Sequence, residues 1–168
     1  SNIFFKKNFN EEVETKGFKP SSLIISIDTI DHADLPSFHF PLPNQKSYYT
    51  LKRVRKADDI PLFYEIFFLP TMLFNNLSKQ VSEKFSITKL IQDVYGYHNL
   101  KSECLITAIN LDDSLSQLLE VEFNSAAIKF DIIHYNENND IIFFKISYFP
   151  GERHSIDVDL REETIWNT

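Results

Sequence analysis

A chain of 168 residues with 43% hydrophobic content is one domain's worth of sequence, large enough to bury a real core. Its formal net charge of -7 argues against this stretch gripping nucleic acid by electrostatics, because a surface that neutralises phosphates carries a basic face. Cys104 stands alone, which excludes an intrachain disulfide and fits a reducing cytoplasm, and the most apolar run, Ile60 to Phe74, is broken by Tyr64, Glu65 and Pro70 and is too short to span a bilayer.

In chain order, the first predicted element is a short helix over Asn10 to Lys16. Asn8 or Asn10 serves as its N-cap, Glu11 and Glu12 occupy the first turn, and Gly17 stops it. Leu23 to Ile30 reads as a strand. Asp31 to Lys46 holds Pro36, Pro41 and Pro43 and reads as an irregular connection. Ser47 to Arg55 and Leu62 to Leu69 form a β-hairpin across a turn rich in Asp and Pro, and folding about Asp59 sets Arg53 opposite or diagonal to Glu65. Ile87, Leu90, Ile91 and Val94 follow the spacing of an amphipathic helix, with Ser86 as N-cap and Gly96 just past its end. Lys101 to Asn110 is a strand, and Asp112 or Asp113 caps a short helix in which Leu115, Leu118 and Leu119 share a face. Ala127 to Tyr135 and Ile141 to Phe149 flank the turn Asn136 to Asp140, and Ser155 to Leu160 alternates as an edge strand. These elements add up to an α+β domain, an antiparallel sheet with flanking helices.

Few chemistries are open to this chain. His32, His39, His98, His134 and His154 are scattered without zinc-type spacing, so no metal site or cofactor is expected. With only Gly17, Gly96 and Gly151, no phosphate-cradling glycine loop can be built, and no G-x-S-x-G elbow is present. Arg53 and Arg55 are two apart, so in a strand they point to one face, where two guanidinium groups make a receptor for a phosphate or carboxylate. The plain alternative is a surface ion pair with Glu65 contributing under about 1 kcal/mol. Ser86, likewise, is either a ligand contact or a helix cap.

The stretch Leu51 to Pro70 resembles the opening signature of the UTRA domain, the effector-binding module of GntR-type bacterial transcription regulators of the HutC subfamily. Arg53, Arg55, Ala57, Asp58, Pro61, Glu65 and Pro70 fall on that pattern. The resemblance continues through Ser86 to Ile91 into Tyr95-Gly96, and closes with Ser147, Tyr148, Gly151 and Arg153. Upstream, Phe9 to Glu12 and Lys16 to Ser22 look like the entry to the domain, so the likeness spans nearly the whole chain. It implies a chorismate-lyase-like fold, with residues 1–20 an entry segment and short helix following a winged helix-turn-helix domain not included here, and residues 21–168 the effector-binding and dimerisation domain.

The same resemblance implies a cytoplasmic homodimeric sensor, not an enzyme, in which a small anionic metabolite such as a sugar phosphate or organic acid modulates a repressor; operator DNA is contacted only by the absent domain. Residues matching Arg53, Arg55 and Ser86 hold the anion, helped by amides near Phe9 and Asn10, while Glu65 accepts from ligand hydroxyls or steadies the arginines. Three positions depart from sugar-responsive members: Thr88 stands for a Tyr, Phe143 for an acidic residue and Phe149 for a Tyr. Less hydroxyl recognition is therefore expected at that end. Exposed edges such as Ile141 to Phe149 are candidate dimer contacts. The rival readings are a chorismate-lyase-like enzyme and a structural dimerisation module with a decayed pocket.

Overall fold

The computed structural model describes residues 9–82 and 86–157. Helix α1 (Phe9–Thr15) ends where Gly17 takes a φ of +85°, and the amides of Gly17 and Phe18 return to the carbonyls of Glu14 and Val13. That closure satisfies the last carbonyls of a helix too short to stand without packing. Strand β1 (Pro20–Asp31) starts earlier than its apolar run suggests, because the Lys19 amide bonds the Asp58 carboxylate and the Asp58 amide bonds the Lys19 carbonyl. Strands β2 (Ser47–Ala57) and β3 (Ile60–Pro70) follow, joined by the two-residue turn Asp58-Asp59, whose first residue adopts a left-handed φ of 51°. Asp tolerates that conformation better than a branched side chain does.

A single turn, α2 (Leu77–Gln80), was not apparent in the sequence pattern. Next, α3 (Ile87–Lys89) runs directly into a wider π-type turn over Leu90–Val94, with the Tyr95 amide reaching back five residues to Leu90. The widening explains why Ile87, Leu90 and Ile91 are buried while Val94, expected on the same face, is 49% exposed. Strand β4 (Lys101–Asn110), helix α4 (Asp113–Leu119) capped by the Asp112 carboxylate, and strands β5 (Ala126–Tyr135) and β6 (Ile141–Pro150) complete the described elements. Of the expected strand Ser155 to Leu160, Ser155 makes a single β-bridge, Ile156 and Asp157 form no strand, and the remainder lies outside the described residues.

All six strands form one antiparallel sheet in the order β1-β2-β3-β6-β5-β4. Strand β6 is therefore central, paired with β3 and β5, and the expectation that Ile141 to Phe149 offers an exposed edge is overturned. The edges are β1 and β4.

Residues directly opposite in a ladder share a face, so Arg53, Glu65, Ser147, Phe130 and Ile106 make one row across five strands. On this face, the turns around α2 and α3 cover Leu51, Phe67, Leu69 and Phe143, and Phe9 of α1 covers Phe63 and Phe149. The other face is covered by the proline-rich connection, through Leu35, Phe38, Phe40 and Leu42, and by α4. The apolar cover of the first face is thus split, and the polar row runs between its two parts.

Candidate functional site

Arg53 and Glu65 stand directly opposite on the β2–β3 ladder, although the register set by the two-residue turn would pair Arg53 with Tyr64; an irregularity between Arg55 and Lys56 shifts the pairing and brings the two charges onto one face. The Arg53 Nε donates to Glu65 Oε1 at 2.5 Å. The other carboxylate oxygen lies 4.0 Å from Lys145 Nζ, which arrives from β6. Arg53 is 8% and Glu65 3% exposed, so the reading as a surface ion pair does not hold: this pair is desolvated and therefore consequential. Both cations lie over Phe67, with the Arg53 guanidinium 5.1 Å and the Lys145 ammonium 5.4 Å from its ring centre.

Arg55 shares the face one step along β2. Its guanidinium sits 4.0 Å from the centre of the Phe9 ring and donates to Asn10 Oδ1 at 3.2 Å, while its buried Nε has no hydrogen-bond partner. Phe9 and Asn10 thus meet Arg55 through their side chains.

Burial by itself would raise the Glu65 carboxyl. Attraction from Arg53, Lys145 and Arg55 outweighs that and holds it below the usual carboxylate range. Burial lowers Arg55 to about 10, with repulsion from Arg53 adding and Glu65 opposing, and it still leaves the group charged at neutral pH. Lys145 is lowered first by burial, which Glu65 counters, although a quarter of its side chain (24%) remains accessible. Three cations face one carboxylate. The cluster carries an excess of two positive charges inside a chain whose net charge is -7.

Lys145 is the residue the sequence reading missed, and the signal was available: in a strand, Phe143, Lys145 and Ser147 alternate onto one face. What was lacking was the knowledge that β6 lies beside β3.

The other expected residues are placed differently. The Ser86 hydroxyl accepts from the Lys89 amide at 3.3 Å, so it caps α3; both Ser86 and Thr88 are exposed and, among the described residues, neither bonds the arginines. Phe143 is buried on the arginine face, its ring 4.1 Å from that of His134 and 6.2 Å from that of Phe67. Phe149 stacks on Phe63 at 4.5 Å. Both are packed against other rings on the two sides of the polar row. His32 and His39 belong to the other face, where the His39 amide bonds Asp131 and the His32 ring lies 6.1 Å from that of Tyr48. Arg153 donates to the carbonyls of Pro61, Leu119 and Glu120, tying β3, α4 and the turn after β6 together.

His134 is pushed down to about 3 by burial and by Lys145, which leaves a neutral ring that is a poor base. Among the described residues no group of three His, Cys, Asp or Glu is arranged to hold a metal ion. A shallow groove of about 500 Å³ lies elsewhere, lined by Asp59, Ile60, Pro61, Glu120, Glu152 and Arg153, and contains none of the expected binding residues.

Comparison with known proteins gives a consistent result. Residues 15–155 match the family model described as the UTRA domain. The chain is 22% identical over 138 residues to the HTH-type transcriptional regulator YurK of Bacillus subtilis, covering 80% of this chain and 56% of that protein. It therefore spans just over half the length of that relative. Its fold is similar to the effector domain of PhnF from Mycobacterium smegmatis, with a TM-score of 0.77 at 14% identity over 96% of this chain and 99% of that one. The C-terminal domain of the histidine utilization repressor of Pseudomonas syringae gives 0.73 at 13% identity, covering 86% and 100% respectively.

Proposed function

The chain belongs to the UTRA domain family, and on that footing we propose that it is the effector-binding and dimerisation part of a cytoplasmic GntR-type transcription regulator, a repressor of the HutC kind that senses a small anionic metabolite. One observation carries the reading toward an anion. A half-buried cluster with two uncompensated positive charges is costly, and an anionic guest relieves that cost. Arg55, with an orphaned buried Nε, is the group with most to gain.

The enzyme reading fares worse on chemistry. Glu65 is held ionised by three cations and is unsuited to give up a proton it does not carry, while His134 stays neutral. Acid-base work has no well-placed agent here.

In the proposed mechanism, the anion bridges Arg53 and Arg55 on β2, the ring of Phe9 and the side chain of Asn10 following from α1. Since α1 lies at the chain's entry to the domain, a shift there passes to whatever precedes it. An effector preferring one arrangement by a few kcal/mol suffices to change operator occupancy in the parent regulator. A second copy completes the proposal, and β4 is the edge that offers itself: its outer backbone is unpaired among the described residues, and Leu105 and Ile106 are exposed on opposite faces.

The test is a thermal-shift screen of sugar phosphates, free sugars and organic acids on the native chain and on Arg55→Met. Arg55 is chosen because its loss leaves the Arg53–Glu65 pair intact. A ligand at a hundred times its Kd stabilises by about 2.7 kcal/mol, or roughly 5–10 °C for a domain of this size. Stabilisation lost in Arg55→Met supports the site; stabilisation that survives places the site elsewhere, and no stabilisation by any compound supports the decayed module.

A further inference from the structure

We infer that Lys145 is a second anion-binding position at the opposite end of the site from Arg55, so that the preferred effector carries two separated acidic groups: a phosphate at the arginine end and a carboxylate at the lysine end. The inference rests on the reading of the arginines as an anion site and narrows its ligand class.

Three observations place Lys145 in this role. Lys145 occupies the row Leu51–Phe67–Lys145–Ile132, one row from Arg53 and two from Arg55, on the same face and two strands away. Lys145 and Arg55 therefore lie on either side of the row that holds Arg53 and Glu65. Glu65 spans Arg53 and Lys145 with its two oxygens, but it is a tight partner only to Arg53, at 2.5 Å against 4.0 Å, so the lysine keeps unspent hydrogen-bonding capacity. Finally, 24% of the Lys145 side chain is accessible, against 9% for Arg53, so the lysine is the more open of the two partners of Glu65.

The ring positions sharpen the choice of group. Phe143 and Phe149 are packed into rings on either side of the row and present no hydroxyl, so a neutral polyol end finds little to bond there. A carboxylate beside Lys145 finds a charge-assisted donor. The Phe67 ring beneath both cations excludes water on one side and strengthens the attraction.

Matched probes test this by calorimetry: glycerol 3-phosphate against 3-phosphoglycerate, and sorbitol 6-phosphate against 6-phosphogluconate. Each pair differs only in whether the far end is an alcohol or a carboxylate. At least one acid is expected to bind about tenfold or more tighter than its alcohol, the worth of one charge-assisted hydrogen bond. In Lys145→Met that preference collapses toward unity, and in Lys145→Arg it is retained. Both variants keep Arg53–Glu65, and their folding is checked by thermal melting. Equal binding of alcohol and acid, or a preference untouched in Lys145→Met, overturns the lysine subsite while leaving the arginine site standing. Absence of binding by all four probes, with inorganic phosphate also silent, overturns both.

Discussion

Replacing Glu65 by Gln keeps the side chain's shape and removes the one carboxylate facing Arg53, Arg55 and Lys145. The buried Arg53 is then left with an amide oxygen in place of an anion, and the excess of positive charge rises from two to three. Breaking a buried pair from one side costs about 3–5 kcal/mol, chiefly the uncompensated charge left behind. At roughly 2–4 °C per kcal/mol for a chain of this length, the melting temperature at pH 7 falls by about 10 °C. The pH dependence supplies an independent check. Folding holds the Glu65 carboxyl below its unfolded value of about 4.3, so its contribution is present above that pH and is lost as pH falls through the folded value. Native protein therefore loses this part of its stability on acidification, and Glu65→Gln, having already lost it, shows a flatter acid limb. Inorganic phosphate should stabilise the variant more than the native chain, since the guest now meets three unpaired cations. Urea denaturation from pH 7 to pH 3, with and without phosphate, reads all three effects. A variant within about 1 kcal/mol of the native chain at pH 7, with an unchanged acid limb, would refute the claim that this pair is buried and coupled.

Other perturbations isolate other parts. Arg153→Ala removes donors from the carbonyls of Pro61, Leu119 and Glu120 and should cost about 2–3 kcal/mol in urea denaturation. Gly151→Ala brings a Cβ to 3.1 Å from the Ala126 carbonyl oxygen, backbone that cannot easily move, and should cost about 1–3 kcal/mol by the same measurement. Ser86→Ala deletes the cap on α3 and, at about 1 kcal/mol, should speed hydrogen exchange at the Lys89 amide roughly fivefold; phosphate affinity measured alongside separates capping from ligand contact. On the proposed β4 contact between two copies, the native chain should run as a dimer in light scattering and Ile106→Lys should shift it toward monomer; an unchanged dimer would move the contact away from this edge, and a monomeric native chain would overturn it.

Sequence by itself determined the local features here. The Asp58-Asp59 turn closes the β2–β3 hairpin locally, and a register shift between Arg55 and Lys56, a few residues from it, then brings Arg53 opposite Glu65. Gly17, Ser86 and Asp112 mark helix boundaries for the same reason: each satisfies backbone groups a few residues away, and the chemistry of doing so is written in the residue itself. The order of the strands is different in kind. Strand β6 is mostly apolar on both faces, as an inner strand is, but nothing within it names β3 and β5 as its neighbours. That is decided by which apolar faces close over which covers, a choice made across some eighty residues of chain between Glu65 and Ser147. Only the tertiary structure therefore brought Lys145 to Glu65, sent the proline-rich connection to the face opposite the arginines, and buried a charge pair that looked exposed. The net charge of the chain is a property of its composition; the positive cluster completed by Lys145 is a property of long-range pairing.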